Sequence, residues 1–147
     1  MDVIAGGAAF ARAARGLARW LARVAPPGAT GEVTVALVSD ARIRALNRRY
    51  RQKDHVTDVL SFPGDPPRSL GDVVIAIGRA RRQARAAGHT LATELRILAL
   101  HGLLHLVGFD HERGAGRMAR VERRLRLEGG LREGLIERAR GGGRRVR

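Results

Sequence analysis

Ile97-Leu-Ala-Leu-His101-Gly-Leu-Leu-His105-Leu-Val-Gly108-Phe-Asp110-His111 is the stretch on which the reading of this chain turns. From Ile97 to Val107 it is apolar on every side except at His101 and His105. A helix that is hydrophobic nearly all round belongs in the middle of a domain, with a sheet on one side and other helices on the other. A helix advances about 100° and 1.5 Å per residue, so His101 and His105 project from one face a single turn apart, within reach of one metal ion. Gly108 is the residue type that most readily takes the left-handed conformation ending a helix, which allows the chain to turn and bring His111 back as a third ligand. A lone histidine on an apolar helix is ordinarily a satisfied core residue. Several ionisable groups at this spacing carry a desolvation cost that a bound metal relieves. Three neutral nitrogens suit one zinc ion, Zn2+, with an open fourth position for a water whose pKa falls to roughly 7.

The spacing also fits H-x-x-x-H-x-x-G-x-x-H, the outline of a metzincin protease, but that motif requires Glu directly after the first histidine as general base. Here the residue is Gly102. The spacing argues for a metal, and the missing carboxylate argues against peptide hydrolysis.

At 147 residues the chain suits one domain with a real core. A single domain over 1–140 is expected, with 141–147, mostly Gly and Arg, as a basic disordered tail. The absence of cysteine excludes disulfides and thiolate metal sites, leaving histidine and carboxylate as the strong ligands, and is compatible with a reducing cytoplasm. The longest apolar run is interrupted by two histidines and falls short of the roughly 20 residues needed to cross a bilayer, so no membrane span is expected. An Arg-rich, acid-poor N terminus superficially suits a transit peptide, yet Phe10, Leu17, Leu21 and Val24 form a stripe at helical spacing.

The net charge is +14, and Lys53 is the only lysine among 28 basic residues. A GC-rich genome explains arginine over lysine but not the two-to-one excess of basic over acidic groups. That excess, with only 3% aromatic residues, points to a polyanion held through its phosphates rather than to stacked single-stranded bases, and structured RNA fits best, the alternative being a solvated basic surface with no specific ligand.

Along the chain, residues 5–24 read as one amphipathic helix ended by Pro26, Pro27 and Gly28, with Trp20 in the core or at a helix edge. Residues 32–38 read as a strand feeding a helix capped by Ser39 or Asp40, with Ile43, Leu46, Asn47 and Tyr50 on its inner face. Residues 57–62 are a second strand, expected to pair parallel to the first through a right-handed crossover. Residues 71–77 are a third, returning antiparallel through a short loop. A helix over 78–87 closes at Gly88, and Thr90 caps the histidine helix. Val121, Leu125 and Leu127 suggest another helix, followed by a short one over 131–139. The fold class is therefore α+β, a small mixed sheet of three or four strands packed with about five helices around a central apolar helix that carries the metal ligands.

Four blocks now stand in order: Leu46-Asn47 with Tyr50-Arg51, Thr57-Asp58-Val59-Leu60-Ser61-Phe62-Pro63, Gly71-Asp72-Val73-Val74-Ile75, and the histidine motif. Over roughly residues 30–127 the chain thereby resembles the YbeY family of bacterial endoribonucleases, also described as rRNA maturation factors. The resemblance implies a zinc-bound metallohydrolase, single-strand-specific, acting in the cytoplasm on ribosomal RNA and the small ribosomal subunit. Its roles there are maturation of the small-subunit rRNA 3′ end and ribosome quality control. His101, His105 and His111 match the family's metal ligands. Arg51 matches the arginine of its active-site cleft, where a guanidinium offers a planar fork of donors to a phosphate. Asp110 has three open roles: orienting His111, capping the turn or accepting a proton. His55 and His89 are expected at the surface. Two features depart from the family pattern: the segment after the last histidine, Glu112 to Arg117, is basic rather than acidic, and the N terminus leaves only Asp2 to Ile4 as a stub of the opening strand.

The expected reaction is RNA cleavage in which water or the ribose 2′-hydroxyl attacks and Arg51 helps stabilise the charged phosphorane, with the general base unassigned. The rival readings are a metzincin-like metallopeptidase and a non-catalytic ribosome-associated RNA-binding protein with a structural zinc.

Overall fold

The computed structural model describes residues 2–5, 8–52, 57–109 and 115–131. In chain order the elements are β1 (Asp2–Ala5), α1 (Ala8–Ala13), α2 (Leu17–Val24), β2 (Glu32–Val38), α3 (Asp40–Arg51), β3 (Val59–Pro63), β4 (Ser69–Ala76), α4 (Ile77–Ala87), α5 (Leu91–Val107) and α6 (Ala115–Glu128). The helix boundaries follow local chemistry. The Ser39 hydroxyl accepts from the Arg42 amide to open α3, and the Thr90 hydroxyl accepts from the Thr93 amide to open α5, each satisfying an otherwise orphaned donor. Gly88 and Gly108 close α4 and α5 at φ 75° and 110°, in the left-handed region that glycine enters without steric cost.

The four strands run in the order β1-β2-β4-β3, with β1 and β4 parallel to β2 and β3 antiparallel to β4. The sheet is mixed, as expected, but the predicted parallel pairing of 57–62 with 32–38 does not form. β4 lies between them, and its composition explains why. Leu70, Val73 and Ile75 are buried on one face and Val74 and Ala76 on the other, so only a central position covers both sides. β3 carries Ser61 and ends in Pro63, which suits an edge. Asp2–Ala5 does supply the opening strand.

A large core on one face joins Val33, Val35, Leu37, Val73 and Ile75 to α5 and, beyond it, to Leu17, Trp20 and Leu21 of α2 and Met118 and Leu125 of α6. A smaller one on the other face joins Leu60, Val74 and Ala76 to Ile43 of α3. Helix α5 is thus the central helix that its composition predicts, with Leu95, Leu98, Ala99, Leu100, Leu103 and Leu104 all fully buried.

Four further expectations change, the first being Tyr50, which is 57% exposed rather than on the inner face of α3. The single helix over 5–24 is two, because Gly16 sits at φ 79° between α1 and α2. Leu127 is exposed rather than inward, since the buried face of α6 is Met118, Glu122 and Leu125. His89 is not a free surface residue: its Nε2 lies 2.6 Å from Oε1 of the fully buried Glu94. The helix predicted over 131–139 and the tail 141–147 fall outside the described residues. No single described helix is long and apolar enough to cross a membrane.

Candidate metal centre and cleft

His101 is 4% exposed and His105 is half-buried, on adjacent turns of α5. Their rings meet edge to face with centroids 4.8 Å apart, and their Nε2 atoms are 3.2 Å apart. Behind His101, its Nδ1 lies 3.2 Å from Glu122 Oε2 on α6. An ionised Glu122 accepts here, an arrangement that puts the ring proton on Nδ1 and leaves the Nε2 lone pair toward His105. This is how a metal-binding histidine is usually held, with a carboxylate fixing tautomer and ring orientation.

The spacing fits a zinc ion. Two nitrogens, each about 2.0–2.1 Å from one ion at a tetrahedral angle, lie roughly 3.3 Å apart. Among the described residues no group of three or more His, Asp or Glu side chains is arranged to hold a metal. His111 and Asp110, the predicted third ligand and its neighbour, lie outside the described residues, as does His55.

Gly102 separates the histidines' face of α5 from the sheet. A Cβ built there would stand 2.5 Å from Val73 Cγ1 and 3.1 Å from Ser61 Oγ, so only glycine lets helix and strands approach this closely. The Ser61 hydroxyl donates to the Gly102 carbonyl at 2.9 Å, tying edge strand β3 to the residue that follows His101. Ser61 in turn lines an open cleft of about 500 Å³ with Tyr50, Arg51, Phe62 and Pro63. Arg51 is exposed at the last turn of α3, beside Arg48 and Arg49. The fold thus places the predicted arginine in a cleft whose wall is bonded to the histidine helix.

Two participants, Glu122 and Ser61, are not among the residues that the sequence pattern singles out. Glu122 had a signal, since an acid four residues after Met118 and three before Leu125 falls on the apolar stripe of α6. Ser61 had none, because its partner is the backbone of a helix 41 residues away.

A family model described as Endoribonuclease YbeY matches residues 8–127. The chain is 57% identical over 102 residues to the Endoribonuclease YbeY of Solibacter usitatus, spanning 69% of each chain. It is 48% identical over 141 residues to that of Anaeromyxobacter dehalogenans, spanning 92% of this chain and 72% of the relative. A solution structure of a protein from Thermotoga maritima superposes with a TM-score of 0.64 at 26% identity, covering 97% of this chain and 94% of that one. Matching the family model from residue 8 to residue 127, this chain belongs to the Endoribonuclease YbeY family.

Proposed function

We propose that this chain is a zinc-dependent, single-strand-specific endoribonuclease that matures the 3′ end of small-subunit rRNA and takes part in ribosome quality control. It would work in the cytoplasm on the small ribosomal subunit. The observation that carries the reading is the pair of Nε2 atoms 3.2 Å apart, backed by the Glu122 carboxylate at Nδ1 of His101. Family membership supplies the reaction class, and the +14 charge supplies attraction to phosphates.

His101, His105 and His111 would hold the zinc, which when bound supplies a Lewis acid and a water acidic enough to ionise near neutral pH. Glu122 keeps His101 in one tautomer and one orientation. Arg51 is placed to bind the scissile phosphate and to strengthen that contact as charge accumulates on its oxygens. The peptidase reading loses its support at Gly102, where a glutamate side chain would have to enter a space already filled by Val73.

The test maps small-subunit rRNA 3′ ends in cells lacking the protein and complemented with wild type or His105→Ala at equal level. Zinc content and folding of both purified proteins are measured in parallel. Mature ends restored only by wild type, with the variant folded, support the proposal. Restoration by both favours a non-catalytic, RNA-binding role, and normal ends without the protein remove rRNA maturation.

A further inference from the structure

The inner face of α3 begins as an ordinary apolar stripe. Ile43 and Asn47 are buried and Leu46 is half-buried against β3 and β4. The next position on that stripe is Tyr50, yet Tyr50 is 57% exposed. It is the only tyrosine in the chain, and the only aromatic among the exposed large apolar side chains of the described residues. The stripe outruns the sheet: β3 is the edge strand, and beyond Phe62 it ends at Pro63. The Tyr50 ring therefore overhangs the cleft instead of entering the core.

Its position is nonetheless fixed. The rings of Tyr50 and Phe62 meet edge to face with centroids 5.6 Å apart, and the Arg49 guanidinium lies 5.3 Å from the Tyr50 ring centre. An aromatic braced in this way and still 57% exposed is a preorganised stacking surface over the area that Arg49 and Phe62 leave uncovered. Arg51 lines the same cleft, and Arg49 lies over the ring from the same helical turn. Guanidinium groups beside an open ring match a nucleotide, with phosphate on the cation and base on the ring. A paired base has both faces covered by its neighbours and cannot use such a surface, whereas an unstacked base can.

We propose that Tyr50, braced by Phe62 and Arg49, stacks on an unpaired RNA base next to the phosphate bound by Arg51, and so makes this cleft favour single-stranded over duplex RNA. The proposal deepens the endoribonuclease reading and rests on it for the identity of the strand. Tyr50 is a specificity-determining residue here, acting on the base while Arg51 acts on the phosphate.

The test measures fluorescence anisotropy of a labelled single-stranded oligoribonucleotide, 2′-O-methylated against attack by the 2′-hydroxyl and checked on a gel to remain uncleaved, against a duplex of the same length. The proteins are zinc-loaded wild type, Tyr50→Ala, Tyr50→Leu, Tyr50→Phe and Tyr50→Trp. Base stacking on an aromatic predicts a loss of roughly 5- to 150-fold in single-strand affinity for Tyr50→Ala. Tyr50→Leu should lose nearly as much, because it restores apolar area but no ring. Tyr50→Phe and Tyr50→Trp should keep single-strand affinity, and duplex affinity should be the same in all five. Equal binding by Tyr50→Ala and wild type overturns the proposal, as does a parallel loss on duplex, full recovery by Tyr50→Leu, or no single-strand binding by wild type. Cleavage of an unmodified strand is followed separately. A wild type that binds through Tyr50 without cleaving refutes the nuclease reading alone, and one that cleaves with no effect of Tyr50→Ala refutes the stacking alone.

Discussion

Adding a single methyl group at Gly102 separates two forces of known size. In an exposed helix interior, Gly→Ala is worth about 1 kcal/mol of stability through backbone entropy. Here the new Cβ would lie 2.5 Å from Val73 Cγ1 and 3.0 Å from its Cγ2. Val73 is fully buried on the central strand β4, so it has little room to give. Overpacking of a closed core costs about 1–3 kcal/mol, and a contact this short belongs at the upper end or beyond. The net expectation for Gly102→Ala is a destabilisation of about 2 kcal/mol or more. Val73→Ala alone should cost about 2 kcal/mol from lost burial and the cavity left behind. In the double variant that cavity receives the new methyl, so the two costs should fall short of additivity by about 1–2 kcal/mol. Urea unfolding followed by fluorescence of the buried Trp20 measures all four corners of the cycle. A Gly102→Ala protein more stable than wild type, or strict additivity in the double variant, would refute the packing argument. The same geometry predicts that Gly102→Glu loses stability and gains no peptide cleavage.

Replacing Glu122 should weaken zinc binding by about 10–100-fold, with Gln near the lower figure because it still accepts from Nδ1 and Ala near the upper, read by chelator competition. Zinc at about 100 times its Kd should raise wild-type stability by about 2.7 kcal/mol in thermal or urea unfolding, and His105→Ala should abolish most of that gain. Asp40 accepts from the Arg79 amide at 3.0 Å and so caps α4, whose own preceding residue, Ala76, offers no side-chain cap. Asp40→Ala should therefore cost about 1–2 kcal/mol, whereas Arg82→Ala, which removes only the 2.8 Å pair of a 64% exposed side chain, should cost less than about 0.5 kcal/mol.

What was legible in the sequence was what local chemistry decides. Ser39, Thr90, Gly88 and Gly108 mark helix ends because caps act on amides and carbonyls within a few residues. The central position of α5 followed from an apolar surface that no other location would cover. The strand order did not follow, because β3 and β4 both read as strands and only their competition for two-sided burial puts β4 inside. Tyr50 keeps the period of a core face and yet stands in the open, since where a sheet ends cannot be read from the helix that packs on it. Gly16 gave no warning of a break, because a glycine inside a helical stripe is tolerated or used as a hinge according to what the flanking helices pack against.

Position 102 also limits how acid–base chemistry can be arranged around the histidines. In the metzincin outline the residue after the first histidine projects a carboxylate to serve as base. In this fold the same position is the point of closest approach between α5 and β4, and its side chain has been given up to let them touch. The carboxylate near the site comes instead from α6, and it approaches His101 from the Nδ1 side, away from the Nε2 that faces His105. There it acts on the ring that would bind the metal and not on a substrate. Arg51 in the cleft brings donors and positive charge and no acceptor. With Arg51 on the scissile phosphate and the zinc on the histidines, as proposed, the described residues would supply orientation and charge stabilisation, the two effects that phosphoryl transfer draws on most, and not the positioned carboxylate base of the peptidase outline. A site organised this way would be matched to a phosphodiester, whose developing charge lies on oxygens that a fork of donors would reach.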